Sequence, residues 1–303
     1  MIEKTTDNKA WKAGKPALSV LIPFKGDDPC ELLKSLDEEH ADVEIVVLDD
    51  GSADPALTMR VTETLKTLRL PVRLVTLAVN EGRAKGRNRL SRHARSQALL
   101  FLDADMLPDR GDFLRRWIAA SDSPIAFGGF SFDRTPHRRE TALNRAMASR
   151  TETLPAAQRA LSPEKYVYTS NLLVRREVFE AIEFDEGFTG WGWEDVEWAM
   201  RAARRYPILH LDNSASHLGL DPARVMAAKF EQSAANFARV VAGHREVVSV
   251  YPSYRVAKLL KPVPLRGLWR PLIKAAALAE ALPLAMRAFA MRLYRAALYI
   301  EAV

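Results

Sequence analysis

Cysteine is almost absent from this chain: Cys30 is the only one in 303 residues. That excludes an internal disulfide framework and fits a reducing compartment. No apolar run accompanies the lysines of residues 1–15, so a secretory signal is not expected there. Long hydrophobic stretches are missing too, because Lys274, Glu280, Arg287, Arg292 and Arg295 interrupt the most apolar region and leave nothing able to span a bilayer. The expected location is therefore the cytoplasm. Repeats and low-complexity segments are also lacking, and the composition is that of an ordinary globular protein with room for one large domain and an appendage, or for two domains.

The net charge of +6 is unevenly placed. From Tyr251 onward nine Lys and Arg face two acids, Glu280 and Glu301, a balance of +7, while the first 250 residues hold 35 bases and 36 acids. A basic excess confined to the tail argues against a nucleic-acid-coated protein and for a local anionic partner. Residues 254–300 read as two or three helices broken by Pro262, Pro264, Pro271 and Pro283. An anionic membrane surface at the inner face of the cell membrane, or a second copy of the chain in a homodimer, is the partner this tail allows.

What is present begins with two short apolar runs, Leu18-Ser-Val-Leu-Ile-Pro-Phe24 and Val43-Glu-Ile-Val-Val-Leu48. They read as buried parallel strands separated by a helix over 29–39. Helices over 55–68 and 83–95 alternate with strands over 72–77 and 98–102, which predicts a doubly wound α/β sheet with its ligand site at the carboxyl ends of the strands. Acids stand at those ends: Asp49 and Asp50 after the second run, Asp103 and Asp105 after 98–102. No Gly-x-Gly-x-x-Gly follows the first strand, where Pro23-Phe24-Lys25-Gly26 stands instead, and this excludes a dinucleotide-binding dehydrogenase. Asp103-Ala-Asp105 puts two carboxylates on one side of an extended chain, a hard-oxygen pair suited to Mg²⁺ or Mn²⁺.

Farther along, the pattern predicts helices over 112–119 and 138–152, a loop over 156–168, and a strand over 169–174. Gly190-Trp191-Gly192-Trp193 then runs into Glu194, Asp195 and Glu197 at the start of a helix over 194–205. Acids in a first helical turn complement the helix dipole, but this does not account for the two indoles, which can wall a site for a sugar or a base. His217, in a polar segment with a nearby glycine, is a candidate ligand, whereas His210 inside an apolar strand is assigned to structure.

Taken in order, Pro23, Asp49-Asp50-Gly51-Ser52, Asn80-Glu-Gly82 with Gly86-Arg87-Asn88, Asp103-Ala-Asp105 and Gly190-Trp-Gly-Trp-Glu194-Asp195 resemble family 2 glycosyltransferases of the GT-A fold. The Trp-Gly-Trp-Glu-Asp form looks most like the chondroitin-polymerase-type and galactosyltransferase-like branch. The resemblance implies a GT-A catalytic domain over 18–220 between an N-terminal tail (1–17) and a helical C-terminal extension (221–303). It further implies that Pro23, Asp49, Asp50 and Arg87 line the nucleotide site and that Asp103 and Asp105 hold sugar and metal, with His217 completing the metal site. Asp195 becomes the catalytic base and Glu194 an acceptor-positioning residue, with Trp191 and Trp193 stacking on acceptor or donor sugar. The implied reaction is inverting, Mn²⁺- or Mg²⁺-dependent transfer of one sugar from a nucleotide diphosphate sugar, favouring UDP, to a glycan or lipid-linked acceptor hydroxyl. Processive members of the family carry Gln-x-x-Arg-Trp and membrane helices; neither stands here, so one transfer per encounter is expected. The competing readings are a sugar nucleotidyltransferase, for which Pro23-Phe24-Lys25-Gly26 is a thin phosphate loop, and a non-catalytic sugar-binding protein with a degenerate site.

Overall fold

A computed structural model describes residues 3–149 and 151–303 of the chain. The strands are β1 (Glu3–Asp7), β2 (Leu18–Phe24), β3 (Val43–Asp49), β4 (Val72–Leu77), β5 (Ala98–Leu102), β6 (Met106–Pro108), β7 (Ile125–Phe127), β8 (Phe130–Ser131), β9 (Asn171–Arg175), β10 (Ile208–His210) and β11 (Ala215–His217). Eight of them form one sheet in the order β1-β4-β3-β2-β5-β9-β7-β10. Neighbours from β4 through β5 run parallel, and β9 is antiparallel to both β5 and β7. β2, β3 and β5 are buried along almost their whole length, which is why their sequences are continuous apolar runs rather than alternating ones.

Helices α1 (Cys30–Asp37), α2 (Pro55–Thr67) and α3 (Arg83–His93) connect the parallel strands. α2 begins where the sequence signals it: Asp54 Oδ1 accepts from the N–H groups of Ala56 and Leu57, both at 3.0 Å, with Pro55 in the first turn. Since β3 lies on one side of β2 and β5 on the other, the strand order reverses at β2. A crevice opens at such a reversal, and Asp49, Asp50 and Asp103 stand at its rim.

Later come α4 (Phe113–Ala119), α5 (Ala142–Ala148), α6 (Ala156–Arg159), α7 (Arg176–Ala181) and α8 (Glu194–Ala202). α5 is shorter than the helix expected over 138–152, of which residue 150 lies outside the described residues. The expected loop over 156–168 holds α6 and a single 3₁₀ turn, Pro163–Tyr166. Arg159 is buried at its centre, bonded to the carbonyl oxygens of Leu154 and Leu211, and this anchors the segment. The N-terminal tail also gains structure. Residues 3–7 form β1, an antiparallel edge strand on β4, and Asn8 donates to the carbonyls of Leu65, Leu68 and Leu70; residues 1 and 2 lie outside the described residues.

The C-terminal extension comprises α9 (Ala223–Val248), α10 (Pro252–Leu260), α11 (Arg266–Leu278) and α12 (Leu284–Leu298). It shares a core with the α/β part: Phe188, Val196 and Met200 cluster with Phe237, Val240, Tyr254, Tyr299 and Ile300. Tyr299 is 1% exposed, stacks on Phe237 at 4.1 Å between ring centroids, and bonds through its hydroxyl to Ser233 Oγ at 2.8 Å. Replacing Tyr299 by Ala is expected to lower stability by about 3–5 kcal/mol, as for other buried aromatics, and Tyr299→Phe by about 1 kcal/mol for the lost hydroxyl. Denaturant unfolding checks both values. An Ala variant as stable as the wild type would mean that Tyr299 does not help join the C-terminal extension to the α/β part.

Candidate active site

α3 brings Arg83 and Arg87, one helical turn apart, beneath the end of β5 and the start of α8. Arg87 is 1% exposed. Its Nη2 donates to Asp103 Oδ1 at 2.7 Å, and its Nη1 lies 3.6 Å from Glu194 Oε1. Arg83, half-exposed, donates from Nε to the same Glu194 oxygen at 2.6 Å and sets Nη2 3.6 Å from Asp103 Oδ2. Two cations and two carboxylates thus form one network across three elements. Buried arginines occur with such partners because an unpaired buried charge is severely penalised.

Glu194 and Asp195 are adjacent in sequence but opposite in electrostatics. Burial would raise the Glu194 carboxyl, yet Arg83 and Arg87 more than offset it and hold the group below the usual carboxylate range. Asp195, with no ion pair among the described residues, is pushed up to about 7 by its own burial and by the negative charge of Glu194. Neighbouring acids driven apart in this way divide into a permanent anion and a group able to exchange a proton near neutrality. Around Asp195 burial likewise raises the Tyr168 phenol, with Glu152 and Asp195 adding to the shift.

On the far side of Asp103 a second pair forms. β11 runs antiparallel to β6 with His217 opposite Met106, and this register sets His217 Nε2 3.2 Å from Asp105 Oδ2. Burial acts against charge on the imidazole, but Asp105 dominates and raises it to about 9. Asp105 is correspondingly lowered, the imidazolium outweighing its own burial. Ligands on adjacent octahedral positions of a small divalent ion stand about 3 Å apart, so one carboxylate and one imidazole at this spacing are a fitting donor pair. Among the described residues no cluster of three or more His, Cys, Asp or Glu is gathered for a metal.

Several of the residues singled out in the sequence have partners that local pattern did not announce. Asp103 faces Arg87 and Arg83, with Oδ1 2.7 Å from Arg87 Nη2 and Oδ2 3.6 Å from Arg83 Nη2. Glu194 is 3% exposed and paired with Arg83 and Arg87. Asp49 is buried, its oxygens bonded to the Ser52 N–H at 3.0 Å and the Thr58 hydroxyl at 2.7 Å, which makes it a turn holder. Asp50 accepts from Asn80 Nδ2 at 2.6 Å and from the Glu81 and Gly82 N–H groups at 2.7 and 3.1 Å, and burial raises its carboxyl despite those bonds. Pro23, half-buried at the end of β2, remains at the crevice.

The two Trp differ from each other. Trp193 adopts φ +78 directly after Gly192, which like Gly190 also has positive φ, a conformation that costs an L-residue about 1–2 kcal/mol. Its ring packs on Phe237 with centroids 4.9 Å apart, and its Nε1 donates to the Tyr299 hydroxyl at 3.1 Å. It is therefore a joint to the C-terminal helices and not an open stacking wall. Trp191, half-buried beside Phe230, has Lys229 5.9 Å over its ring. His210 bonds Arg159 at 3.2 Å inside the fold, in keeping with a structural role. Arg83 was missed by sequence reading, although its spacing of four from Arg87 places both on one helix face.

Residues 19–183 match the model of glycosyl transferase family 2. A curated relative, polypeptide N-acetylgalactosaminyltransferase 3 of Drosophila melanogaster, is 24% identical over 233 residues, 64% of this chain and 33% of that protein, so the chain spans about a third of its length. Among solved structures, the mannosyltransferase PcManGT from Pyrobaculum calidifontis, in complex with GDP-Man and Mn²⁺, superimposes with a TM-score of 0.58 at 18% identity, covering 95% of this chain and 87% of that one. S. aureus TarS residues 1–349 in complex with UDP gives 0.50 at 20% identity, covering 94% and 90%. The α/β architecture is the GT-A fold of those structures. With a family match that reaches from β2 to just past α7, over half the chain, the protein belongs to glycosyl transferase family 2.

Proposed function

We propose that this chain transfers a single sugar from a nucleotide diphosphate sugar to a glycan or lipid-linked acceptor hydroxyl, with inversion, in polysaccharide or glycoconjugate synthesis. The observation that carries the reading is the split between Glu194 and Asp195. A carboxyl raised to about 7 beside a fixed anion is suited to general-base work at neutral pH. Asp195 takes the proton of the acceptor hydroxyl, the oxygen attacks the anomeric carbon, and the bond from that carbon to the diphosphate breaks on the opposite face. Arg83 presents its half-exposed guanidinium where negative charge develops on the leaving diphosphate, a preorganised electrostatic contribution. Arg87 and Glu194 hold Arg83 and Asp103 in register. A divalent cation, Mn²⁺ or Mg²⁺, held by Asp105 and His217 would supply further charge neutralisation on the diphosphate.

Pro23 and Asp50 line the base and ribose end of the donor site in this reading, and Trp191, beside Lys229, faces the acceptor. Solved relatives bind UDP in one case and GDP-Man in another; UDP is proposed here from the order of motifs. The Trp191-Gly-Trp193-Glu-Asp195 run supports the chondroitin-polymerase-type and galactosyltransferase-like branch as the sub-group. Nucleotidyl transfer is disfavoured because the loop after β2 offers few phosphate-binding groups. Release of free nucleotide from a panel of nucleotide sugars, with Mn²⁺ and candidate acceptors, tests the reading as a whole.

Asp195→Asn is expected to reduce turnover by about 10²- to 10⁴-fold, the usual worth of a general base, with nucleotide affinity nearly unchanged in calorimetry. Wild-type turnover would remove Asp195 as the base. The pH profile carries a sign. Asp195 is protonated below its raised value, so kcat/KM should fall about tenfold per pH unit below about pH 7; a flat profile down to about pH 5 would contradict the assignment. Asp105→Ala should weaken nucleotide binding when Mn²⁺ is present and have little effect with a chelator added. Equal weakening in both conditions would argue against a metal at Asp105.

A further inference from the structure

The outer helices of the C-terminal extension carry apolar side chains on their outward faces as well as their inner ones, where ordinary surface helices turn charges to water. In α11 two leucines point outward, Leu268 at 67% and Leu272 at 69% exposed, with Leu265 just ahead of the helix at 69%, while Ile273 and Leu278 pack against the core. The basic residues of the same helix turn inward to partners. Arg266 and Arg270 pair with Glu301, and Lys274 pairs with Glu231 at 2.6 Å. α12 is apolar on both sides: Ala288, Met291 and Tyr294 are buried in the core, while Phe289, 65% exposed, and Met286, 55% exposed, face outward. Between the two helices lies an apolar groove of about 470 Å³ whose lining includes Ile273, Leu282, Met286, Phe289 and Leu293. Leu259, at the end of α10, adds a further exposed apolar group at 74%, next to exposed Lys258.

From this geometry we infer that the outward face of α11 and α12 is a docking surface for an anionic phospholipid bilayer. Two independent features select that occupant. Contiguous exposed apolar side chains favour a partner that removes them from water, and the exposed cations Arg255, Lys258 and Lys261, flanking Leu259 in sequence and just ahead of Leu265, favour one of negative charge. No helix among the described residues is long and apolar enough to cross a membrane, so the helices lie on the interface. Their inner side is fixed to the site: Tyr299 holds Trp193, and Arg295 lies 5.3 Å over the Phe230 ring, beside which Trp191 packs. Docking sets the proposed acceptor wall close to the bilayer, as a lipid-linked acceptor requires. This last clause rests on the transferase reading; the docking does not.

Truncating the extension would expose the core around Tyr254 and Tyr299, so point variants of the full chain are the cleaner test. Flotation is measured with vesicles of phosphatidylcholine alone and of phosphatidylcholine mixed with phosphatidylglycerol, for the wild type, the double variant Leu268→Asp/Leu272→Asp, Phe289→Asp, and Arg255→Glu/Lys258→Glu. The wild type should partition onto the anionic vesicles at least about tenfold better than onto neutral ones, and each variant should lose about tenfold or more. Unchanged melting temperature shows that each variant is folded. Absent vesicle binding, or binding indifferent to these variants, overturns the inference. So does a dimeric mass in solution that Leu268→Asp/Leu272→Asp converts to a monomer while vesicles go unbound, since a second copy then covers the face. Vesicle binding that responds to the variants, in a protein that releases no nucleotide from any donor, supports docking and counts against the transferase reading alone.

Discussion

Burying Arg87 constrains more of this structure than any other single interaction. A guanidinium out of water needs anions close by, and removing one partner from a buried pair typically costs about 3–5 kcal/mol. Asp103 and Glu194 supply those anions from the end of β5 and the first turn of α8, so the pairing fixes where three elements meet. It also determines the chemistry available. Glu194 is committed to the arginines as a permanent anion, and its charge, together with burial, raises the next carboxyl, Asp195. One network therefore both assembles the crevice and sets apart the acid able to take up a proton.

The C-terminal helices are part of that arrangement. Trp193 enters α8 in a left-handed conformation that its side chain disfavours, and its ring is kept there by Phe237 and Tyr299. Asn236 on α9 donates to the carbonyls of Thr189 and Gly192 at 2.9 and 2.8 Å. Strain of this kind persists where surrounding packing over-determines it. The extension thus holds the loop leading into Glu194 and Asp195 from behind, and its outward face is left for another partner.

Much of this could be read from residue order. The parallel strands were legible because burial on both sides leaves an unbroken apolar run, as in β2 and β3, and β4 and β5 begin and end at the residues expected. Acids at strand ends were legible as a site because an α/β sheet places its ligands there. Individual roles were harder. Asp49 and Asp50 look equivalent in sequence, yet Asp49 closes its own turn while Asp50 closes the distant turn at Asn80. The role of Asp103 depends on Arg87, sixteen residues earlier, and that of Trp193 on Tyr299, more than a hundred residues later. Local pattern does not carry such distant pairings. β1 escaped notice because an exposed edge strand such as Glu-Lys-Thr-Thr-Asp has no apolar run to announce it.

Carboxyl ¹³C NMR on the metal-free protein, with Asp and Glu side chains labelled and Asp195→Asn and Glu194→Gln used for assignment, reads the division between these two acids directly. The account predicts that Asp195 titrates near 7 while Glu194 titrates below the ordinary carboxylate range. An Asp195 resonance that titrates as an ordinary exposed carboxyl, at about 4, would contradict it.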